Sequence, residues 1–452
     1  LAHGHYVTTD IGAALGIFMG TYFFIKYFFK PNGKNLIFAG LAFGVAQLMK
    51  FSVVLLIPYF VVLALAWVIR NLPDRQAGQK FWKKFLALTA IFSIGYLLVY
   101  LVYFVFTLNY PVSKQIADTE IILTSLKNRP LADLDVKMAG NNFFRPLAHY
   151  LLGVLMAGQR SANGNTAYFL GQISAAGSLY YFPVVFFLKE PIPSLILILA
   201  VFIFGFWSVI KKFKFKKSIF KIQASCLPAG MARFKDYLGT HFAEFSMIIF
   251  IVFYWLYSMQ SKLNIGIRHI LPTLPFIYIL TAAGLKNWTN SRFWKHSFKI
   301  GLVFIFLFWY FLEMVWAFPF YLSYFNQFGG GVSQGYRNVT DSNYDWGQDL
   351  KRLAAFVKEK NIEKIAVEYF GGGDVKYYLG DKAEIWQSSR GNPKDIGFEW
   401  LAVSVNTLQS ALAQTAAGFV RNPEVEYRSL KQSRNSYQPE FKAGTSLFIY
   451  KL

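Results

Sequence analysis

The stretch SVVLLIPYFVVLALAWVI, residues 52–69, carries no charged side chain over eighteen consecutive positions. A helix needs roughly 20 predominantly apolar residues to cross the hydrocarbon core of a bilayer, so this stretch predicts a membrane-spanning helix. The whole chain has the same character, because 55% of its 452 residues are hydrophobic, 19% are aromatic and only 15% are charged. This composition excludes an ordinary soluble enzyme and predicts a polytopic α-helical membrane protein.

Seven other stretches come close to the same length and apolar character. With the first they give eight predicted spans, at 11–29, 35–50, 52–69, 85–106, 184–210, 243–260, 268–285 and 300–318. The second and third run almost together through Lys50, so residues 35–69 form either a hairpin or one over-long helix. We expect the hairpin, because only then do the basic clusters that follow spans one, three, five and seven lie on one side of the membrane. These clusters are Lys26, Lys30 and Lys34; Arg70, Arg75, Lys80, Lys83 and Lys84; Lys211, Lys212, Lys214, Lys216, Lys217 and Lys221; and Lys286, Arg292, Lys295 and Lys299.

Basic loops face the cytoplasm in most membrane proteins, so the opposite ends of the spans are expected to face outward. The outward side then holds residues 1–10, segment 107–183, loop 261–267 and the tail, 320–452. The single cysteine, Cys226, leaves no partner for an intramolecular disulfide. A bacterial plasma membrane suits such a chain better than a disulfide-rich secretory setting.

The net charge of +22 is not spread evenly. Residues 1–319 contain 30 Lys and Arg against 10 Asp and Glu, whereas residues 320–452 contain 16 against 14. The excess therefore belongs to the hydrophobic part, where it suits the anionic leaflet of a lipid bilayer. A nucleic-acid partner is not expected.

Two outward regions have internal structure of their own. Segment 107–183 is predicted to contain an amphipathic helix in the membrane interface, since apolar residues recur there at helical spacing. These residues are Phe143, Phe144, Leu147, Tyr150, Leu151, Val154 and Leu155. The tail is predicted to be a small α/β domain, separate from the membrane domain at 1–319. Its expected elements are a helix at 347–359, strands at 364–370, 383–386, 400–405 and 446–450, and a tight turn at Gly371–Gly373.

Charged residues at the membrane edge are costly unless they are paired or hydrated, so they mark candidate functional positions. By the predicted topology, Glu244 lies at the inward edge and six others gather around one outward cleft. These six are Asp10, Lys50, Lys189, Glu190, Arg268 and Glu313.

Each of these charges also has a simpler structural interpretation. Asp10 either caps the first span or joins His3 and His5 as ligands of a divalent metal. Lys50 is either an interfacial anchor or a contact for a lipid phosphate. Arg268, followed by His269, either anchors a helix end or binds phosphate in a bidentate manner. Together on one face, these cations favour a phosphate-bearing lipid substrate.

The stretch 338–349 is rich in hydrogen-bonding side chains and contains one tryptophan. It is either a polar turn that caps the helix at 347–359 or a surface that contacts a sugar. In the second case Trp346 would stack on the sugar ring, and Asp341, Asn343 and Asp345 would bind its hydroxyl groups.

Five stretches in order along the chain carry motifs of a known family. They are LAHGHYVTTDIGAALGIF (1–18), AGLAFGVAQLMKFSVVLLIP (39–58), YFLGQISAAGSLYYFPVVFFLKEPIP (168–193), LNIGIRHILPTLPF (263–276) and YLSYFNQFGGGVSQGYRNVTDSNYDWGQDLKRLAAF (321–356). On these stretches the chain resembles the bacterial family 39 glycosyltransferases. These enzymes have the GT-C fold, are related to protein O-mannosyltransferases and use polyprenyl-phosphate sugars.

The resemblance implies transfer of a sugar from a polyprenyl-phosphate donor to a protein, lipid or glycan acceptor on the outer face of the membrane. It also implies that the acidic catalytic base lies in a first outward loop upstream of Leu1, so the sequence is expected to be truncated at its N-terminus. Asp10 matches a second acidic position of the family that supports the donor or a metal. Lys50, Arg268 and His269 lie in family-like segments and are expected to bind the donor phosphate.

Two other classes of function compete with this expectation. A transporter or flippase of lipid-linked glycans would also be polytopic and basic, but it usually has ionisable residues at mid-membrane and paired broken helices. The spans predicted here show almost no ionisable residues at mid-membrane and no paired broken helices. A non-enzymatic scaffold that binds glycan through its tail would leave the outward charges unexplained.

Overall fold

The computed structural model describes residues 2–6, 8–70, 77–216, 229–291, 294–420 and 438–452, together with Tyr427 and Leu430. Up to Ala317, the regular structure of the described residues is helical apart from one β-hairpin. Its helices are α1 (Thr9–Phe29), α2 (Gly33–Met49), α3 (Leu56–Arg70), α4 (Ala77–Thr107), α5 (Val112–Leu123), α6 (Arg129–Ala139), α7 (Arg145–Asn163), α8 (Tyr181–Lys189), α9 (Ile192–Lys216), α10 (Ala229–Gln260), α11 (Leu274–Thr289) and α12 (His296–Ala317). The hairpin strands are β1 (Ala167–Phe169) and β2 (Gln172–Ser174).

Six helical stretches of the described chain are long and apolar enough to cross a membrane. They are Thr9–Phe29, Phe51–Arg70, Phe81–Thr107, Phe234–Gln260, Ile267–Thr289 and His296–Ala317. Helix α2 is apolar but shorter, at 17 residues, and α8 with α9 makes a seventh span only if the bent pair counts as one. The prediction of a multi-pass membrane protein is thus confirmed, although the predicted number of eight spans is not.

The single helix predicted at 184–210 is wrong. Helices α8 and α9 meet at an angle of 118°, with the break at Glu190-Pro191. A proline disfavours helical backbone in the residue before it, and Glu190 is accordingly extended, with φ −77° and ψ 133°. Proline also lacks the N–H that would continue the helix, so α9 begins afresh at Ile192.

The predicted hairpin at 35–69 is present as two helices, of which only the second is long enough to count as a membrane span. Helix α2 ends at Met49, and a 3₁₀ turn at Phe51–Leu55 leads into α3. Near the end of α3, the Trp67 ring lies 5.4 Å from that of Phe28 and 5.1 Å from that of Phe29, which end α1. Because α2 begins just after α1 ends, α3 returns to the level at which α2 began.

Some helices bury their apolar side chains against one another, whereas others expose them on the outside of the protein. Residues of α1, α2, α3, α4 and α10 share one core, which includes Phe24, Phe43, Phe60 and Phe250. By contrast, α12 buries only 11% of its apolar stretch inside the protein, and Trp316 on it is 82% exposed. An apolar surface this extensive suits contact with lipid rather than with water.

Segment 107–183 contains more structure than the sequence indicated. The predicted amphipathic helix is present as α7, which buries Ala148 and Leu152 and exposes Met156. Helices α5 and α6 precede it, and β1 and β2 follow it as an antiparallel hairpin.

The tail forms the predicted α/β structure. Its helices are α13 (Gly331–Gln334), α14 (Leu350–Glu359), α15 (Val375–Leu379) and α16 (Val405–Leu412). Its strands are β3 (Ile365–Glu368), β4 (Ala383–Ile385), β5 (Trp400–Ser404), β6 (Gln414–Thr415), β7 (Phe441–Ala443) and β8 (Leu447–Lys451). The four predicted strands correspond to β3, β4, β5 and β8, and Gly371–Gly373 lie in the bend after β3.

The main sheet has the strand order β4-β3-β5-β8-β7. Strand β3 runs parallel to β4 and β5, whereas β8 runs antiparallel to β5 and β7. Alternate residues of β8 face opposite sides, as the pleat requires. Leu447 and Ile449 join a core with α14 and α15, whereas Phe448 and Tyr450 join a core on the other face.

The second of these cores contains residues of both parts of the chain. Tyr181 and Val185 of α8 and Ile270 lie in it with Phe325 and Tyr344 of the tail. Strand β6 also pairs in parallel with β2, which joins the tail to segment 107–183. The tail is thereby seated on the end of the helices at which α1 begins.

Some residues named above lie outside the described structure. Arg75, Lys217, Lys221, Cys226 and Arg292 are in undescribed parts of the chain. The side chains of Lys80, Lys211, Lys212, Lys214 and Lys216 are likewise not described.

Candidate functional site

A buried carboxylate and two cations meet where α1 begins. Asp10 lies in the first turn of α1 and is 2% exposed. The Lys50 ammonium, at the end of α2, lies 2.5 Å from Asp10 Oδ1, and the Arg268 guanidinium lies 3.6 Å from Oδ2. Helices α1 and α2 approach each other so closely that a Cβ at Gly16 would lie 2.9 Å from Ala46 Cα, and the absence of a side chain at Gly16 permits this approach. Three elements that are distant in sequence thus converge on one carboxylate.

This cluster lies on the wall of a cavity of about 830 Å³. Four charged residues line the cavity, namely Asp10, Lys50, Arg160 and Arg268. Much of the remaining lining is apolar, from the α2–α3 connection and from α7; it includes Leu48, Phe51, Val54, Leu55, Val154 and Ala157. Three cations against one carboxylate give the cavity a net positive charge, so it favours an anionic ligand.

Two nitrogen atoms in the cavity wall are buried without a hydrogen-bond partner among the described residues. They are Nε of Arg268 and Nε2 of His269. A buried polar atom without a partner costs about 1–3 kcal/mol, so such atoms mark places where a ligand group would be stabilised. Both nitrogens belong to residues that the sequence motifs linked to a donor phosphate.

An aromatic side chain of the tail forms part of the cavity wall. The Arg268 guanidinium lies 4.6 Å from the ring centre of Trp346, which belongs to the tail. The His3 and Tyr6 rings also contact Trp346, with centroids 6.0 Å and 5.4 Å away. Burial, together with the nearby Lys189 ammonium, lowers the pKa of His3 to about 4, so its imidazole is neutral at physiological pH. The tail thus supplies part of the cavity wall, through Trp346.

The residues considered as metal ligands are not assembled for that role. His5 stacks on Tyr321, with ring centroids 5.9 Å apart, while His3 contacts Trp346. Asp10 is occupied by Lys50 and Arg268. Across the described ranges, no group of three or more His, Cys, Asp or Glu side chains could hold a metal ion. The donor set around Asp10 therefore does not fit a divalent metal.

Asn343 binds protein groups instead of facing the cavity. It is fully buried, its Oδ1 accepts a hydrogen bond from the Ile267 N–H at 2.9 Å, and its Nδ2 donates to the Tyr181 hydroxyl at 2.7 Å. Tyr181 belongs to α8, and Ile267 opens the 3₁₀ turn before α11. Asn343 therefore connects the tail to two membrane elements, which differs from the sugar contact expected from the sequence.

The two aspartates of the same stretch also bind within the protein. Asp341 Oδ1 accepts from the Ser342 N–H at 2.5 Å, and the Asp341 N–H donates to Asn406 Oδ1 at 3.0 Å. Asp345 is 1% exposed and accepts from the Ser404 hydroxyl and from the Gly347 N–H. Of the four residues expected to meet a sugar, only Trp346 lines the cavity.

The alternative prediction, that this stretch caps α14, is met only in part. Asp345 makes a polar turn with Gly347, as expected. Asp349 occupies the N-cap position but makes no side-chain cap. Its carboxylate instead accepts from the N–H groups of Thr445 and Ser446, at 2.8 Å and 2.9 Å, and so orients the start of β8.

The burial of Asp345 gives a pH-dependent stability. Burial raises the pKa of Asp345 to about 7, so the folded chain holds this proton to a higher pH than the unfolded chain does. Its stabilising contribution is therefore complete below about pH 4 and is lost as the pH rises towards 7.

We expect the free energy of unfolding of Asp345→Asn to rise relative to that of the wild type as the pH increases from about 4 to 7, by at most about 1.4 kcal/mol per pH unit. Thermal unfolding of both proteins at several pH values measures this. The exposed Asp381→Asn is the control, and a stability difference that does not depend on pH would contradict the expectation.

The other membrane-edge charges do not share the cavity. Lys189, Glu190 and Glu313 line a second, smaller cavity of about 230 Å³. Lys189 donates to the carbonyls of Leu322 and Asn343, at 2.8 Å and 2.5 Å. The Glu313 carboxylate accepts from the hydroxyl of Tyr324 and from Gln327. The expectation of one common cleft is thus correct for Asp10, Lys50 and Arg268 and wrong for these three. Lys189 and Glu313 hold the tail against the helices, whereas the Glu190 carboxylate accepts from the hydroxyls of Ser194 and Tyr278.

Sequence reasoning missed two contributors to the cavity. Arg160, in the last turn of α7, lines it, although segment 107–183 was interpreted only as an interfacial helix. Gln47 is 1% exposed and accepts a hydrogen bond from the Tyr150 hydroxyl at 2.8 Å. An arginine in the last turn of an amphipathic helix is an ordinary feature, so no signal in the sequence distinguished Arg160.

The chain matches no family model, no curated protein and no solved structure. The assignment of a function therefore depends on the side chains around the larger cavity, taken together with the sequence motifs quoted above.

Proposed function

We propose that the chain belongs to a membrane glycosyltransferase that moves a sugar from a polyprenyl-phosphate donor to a protein, lipid or glycan acceptor. The observation that carries the proposal is the cavity in which Lys50 and Arg268 flank a single carboxylate, and Arg160 adds a third cation to the lining, beside apolar residues. A phosphate ester would place its negative charge on the cations, and its isoprenoid chain would follow the apolar residues. Trp346 offers a flat surface for the sugar ring.

The proposed reaction is a displacement at the anomeric carbon. The acceptor oxygen forms a bond to this carbon, while the bond to the phosphate oxygen breaks and its electron pair leaves with the lipid phosphate. A base takes the acceptor proton, and the resemblance of the sequence motifs implies an acidic residue in this role. Cations around the departing phosphate stabilise the charge that develops there. Lys50 and Arg268 are proposed for this role.

Asp10 is proposed as a positioning residue rather than as the base. Its two oxygens already accept from or lie beside Lys50 and Arg268, and its side chain is almost fully buried. A carboxylate between two cations offsets their mutual repulsion and fixes their donors in one orientation before the donor lipid binds.

The proposal places the cavity and the tail on the outer face of a bacterial plasma membrane. It is supported by the basic residues Lys30, Lys34, Arg70 and Lys84, which lie at the opposite end of the helices from Asp10. Basic residues favour the cytoplasmic side, so the cavity end would face outward.

Transfer can be tested with the full-length protein, reconstituted in vesicles. The probe is undecaprenyl phosphate bearing a radiolabelled hexose, with bacterial membranes as the source of acceptor. We expect release of undecaprenyl phosphate and movement of the label to a new product. Intact donor after prolonged incubation, with all common hexoses tested, would contradict the proposal.

A second candidate, a flippase of lipid-linked sugars, gains support from one observation. Transporters commonly contain broken helices, and the 118° break between α8 and α9 is a feature that the sequence did not reveal. The same vesicle assay separates the two functions. A flippase moves the labelled donor between leaflets with its sugar–phosphate bond intact, whereas the transferase breaks this bond.

Arg160 gives a test of the proposed phosphate contact. Its side chain is exposed at the cavity, so its replacement by Gln removes one cation with little effect on packing. We expect KM for the donor to rise about fivefold and kcat to change by less than twofold, as for the loss of one solvent-exposed charge contact. Steady-state kinetics measure this, with Lys127→Gln in the same segment as control. Equal kinetics for the two variants would remove Arg160 from the site.

A further inference from the structure

A second large cavity lies at the end of the helices opposite to Asp10. It has a volume of about 690 Å³ and is bounded by the end of α1, the α1–α2 turn, the end of α3 and the start of α4. Most of its lining is apolar or aromatic, and includes Tyr27, Phe28, Leu36, Trp67, Val68 and Leu86. Two lysines, Lys83 and Lys84, complete it.

The Lys84 ammonium is held over aromatic rings inside this cavity. It lies 4.6 Å from the ring centre of Phe28, 5.5 Å from that of Trp67 and 5.6 Å from that of Tyr27. Such contacts orient an ammonium group without neutralising it. Neither Lys83 nor Lys84 forms an ion pair with a carboxylate in the described chain, so both charges are available to an anion.

The surroundings of the cavity are basic as well. In residues 8–70 and 77–107, which the structure describes, the only carboxylate is Asp10, at the far end of the helices. Among the residues of these ranges whose side chains the structure describes, six basic ones lie at the cavity end: Lys26, Lys30, Lys34, Arg70, Lys83 and Lys84. Arg70 is turned towards α10, where it donates to the Gly239 carbonyl at 2.9 Å.

We infer that this cavity binds one anionic glycerophospholipid, with its phosphate on Lys83 and Lys84 and an acyl chain along Leu36, Val68 and Leu86. A phosphate supplies the negative partner that the two lysines lack among the described residues, and an acyl chain fits apolar walls between helices. The inference is independent of the proposed sugar transfer, because the two cavities lie at opposite ends of the helices. It is also narrower than a general attraction of basic loops to an anionic leaflet, since it names one site.

The experiment is native mass spectrometry on the delipidated full chain, titrated with phosphatidylglycerol or with phosphatidylcholine. We expect one tightly bound phosphatidylglycerol and no comparable binding of phosphatidylcholine. The double variant Lys83→Gln/Lys84→Gln is expected to bind phosphatidylglycerol about thirtyfold more weakly. Ala90→Phe, which fills the cavity without changing its charge, is expected to prevent binding while leaving the thermal unfolding midpoint close to that of the wild type.

The matched control is Lys26→Gln/Lys34→Gln. It removes the same charge from the same end of the helices, but neither lysine lines the cavity: Lys26 lies over Tyr22 and Phe23, and Lys34 lies over Phe38. Equal loss of lipid in the two double variants would show diffuse attraction to the membrane and overturn the inference. Displacement of the lipid by millimolar inorganic phosphate, or unchanged binding in Ala90→Phe, would also overturn it, because the acyl chain would then contribute nothing.

Discussion

Replacement of Asp10 by Asn is expected to lower kcat/KM for sugar transfer about a hundredfold. The change removes the charge that holds Lys50 at 2.5 Å and Arg268 at 3.6 Å. Two cations would then face each other across a partly buried site without an anion between them, and they would move apart. A displaced ammonium and guanidinium no longer meet the leaving phosphate, which is where they would stabilise the transition state.

Kinetics of a small set of variants distinguish this positioning role from a general loss of structure. Asp10→Glu keeps the charge and is expected to recover a measurable part of the rate. Asp10→Asn combined with Lys50→Gln is expected to cost less than the sum of the two single changes, because both act on one ion pair. Glu244→Gln is the control, since this carboxylate lies on α10 outside the cavity. Wild-type kinetics in a stably folded Asp10→Asn would show that the site is assigned incorrectly, although transfer itself could still occur.

Replacement of Asn343 by Ala is expected to destabilise the protein by about 2–4 kcal/mol. The change leaves the Ile267 N–H and the Tyr181 hydroxyl without the partners that they have at 2.9 Å and 2.7 Å. All three residues are buried, so water does not readily replace the lost hydrogen bonds. Thermal unfolding in detergent measures the effect, and the donor KM of the protein that remains folded is expected to be close to that of the wild type.

This prediction separates the two interpretations of the 338–349 stretch. If Asn343 binds a sugar, its loss weakens substrate binding and leaves stability unchanged. If it joins the tail to α8 and to the turn before α11, the reverse holds. Asn165→Ala is the control, because the Asn165 side chain lies in a loop and donates to the carbonyl of the next residue. A stability change no larger than that of the control would rule out the structural role.

The helices were largely predictable because a membrane imposes one strong rule on sequence. Stretches without charged residues predict the spans, and basic clusters on alternate connections predict the hairpin at 35–69. The break between α8 and α9 was missed, because Glu190-Pro191 lies inside an apolar stretch that is long enough to be taken for one span. Continuous hydrophobicity predicts burial in lipid, and it does not by itself predict a straight helix.

The candidate site was predictable only for residues whose side of the membrane follows from the alternation of the spans. Asp10, Lys50 and Arg268 lie at helix ends that alternation brings to one side, and they do meet there. The polar residues around Asn343 carried no such constraint. An amide that binds a sugar hydroxyl and one that binds a backbone N–H look alike in sequence, because the same hydrogen-bonding groups serve both purposes.

The parallel pairing of β2 with β6 has a consequence for how the protein is assembled. Gln172 lies opposite Gln414, so roughly 240 residues of chain must be synthesised between the two halves of this small sheet. Several membrane helices are inserted during that interval, while β2 has no partner on one edge. The part of the cavity wall that Trp346 forms is likewise completed only when the tail has been synthesised. The cavity is therefore finished late in biosynthesis, and we expect nascent chains that stop before the tail to have an open, inactive pocket.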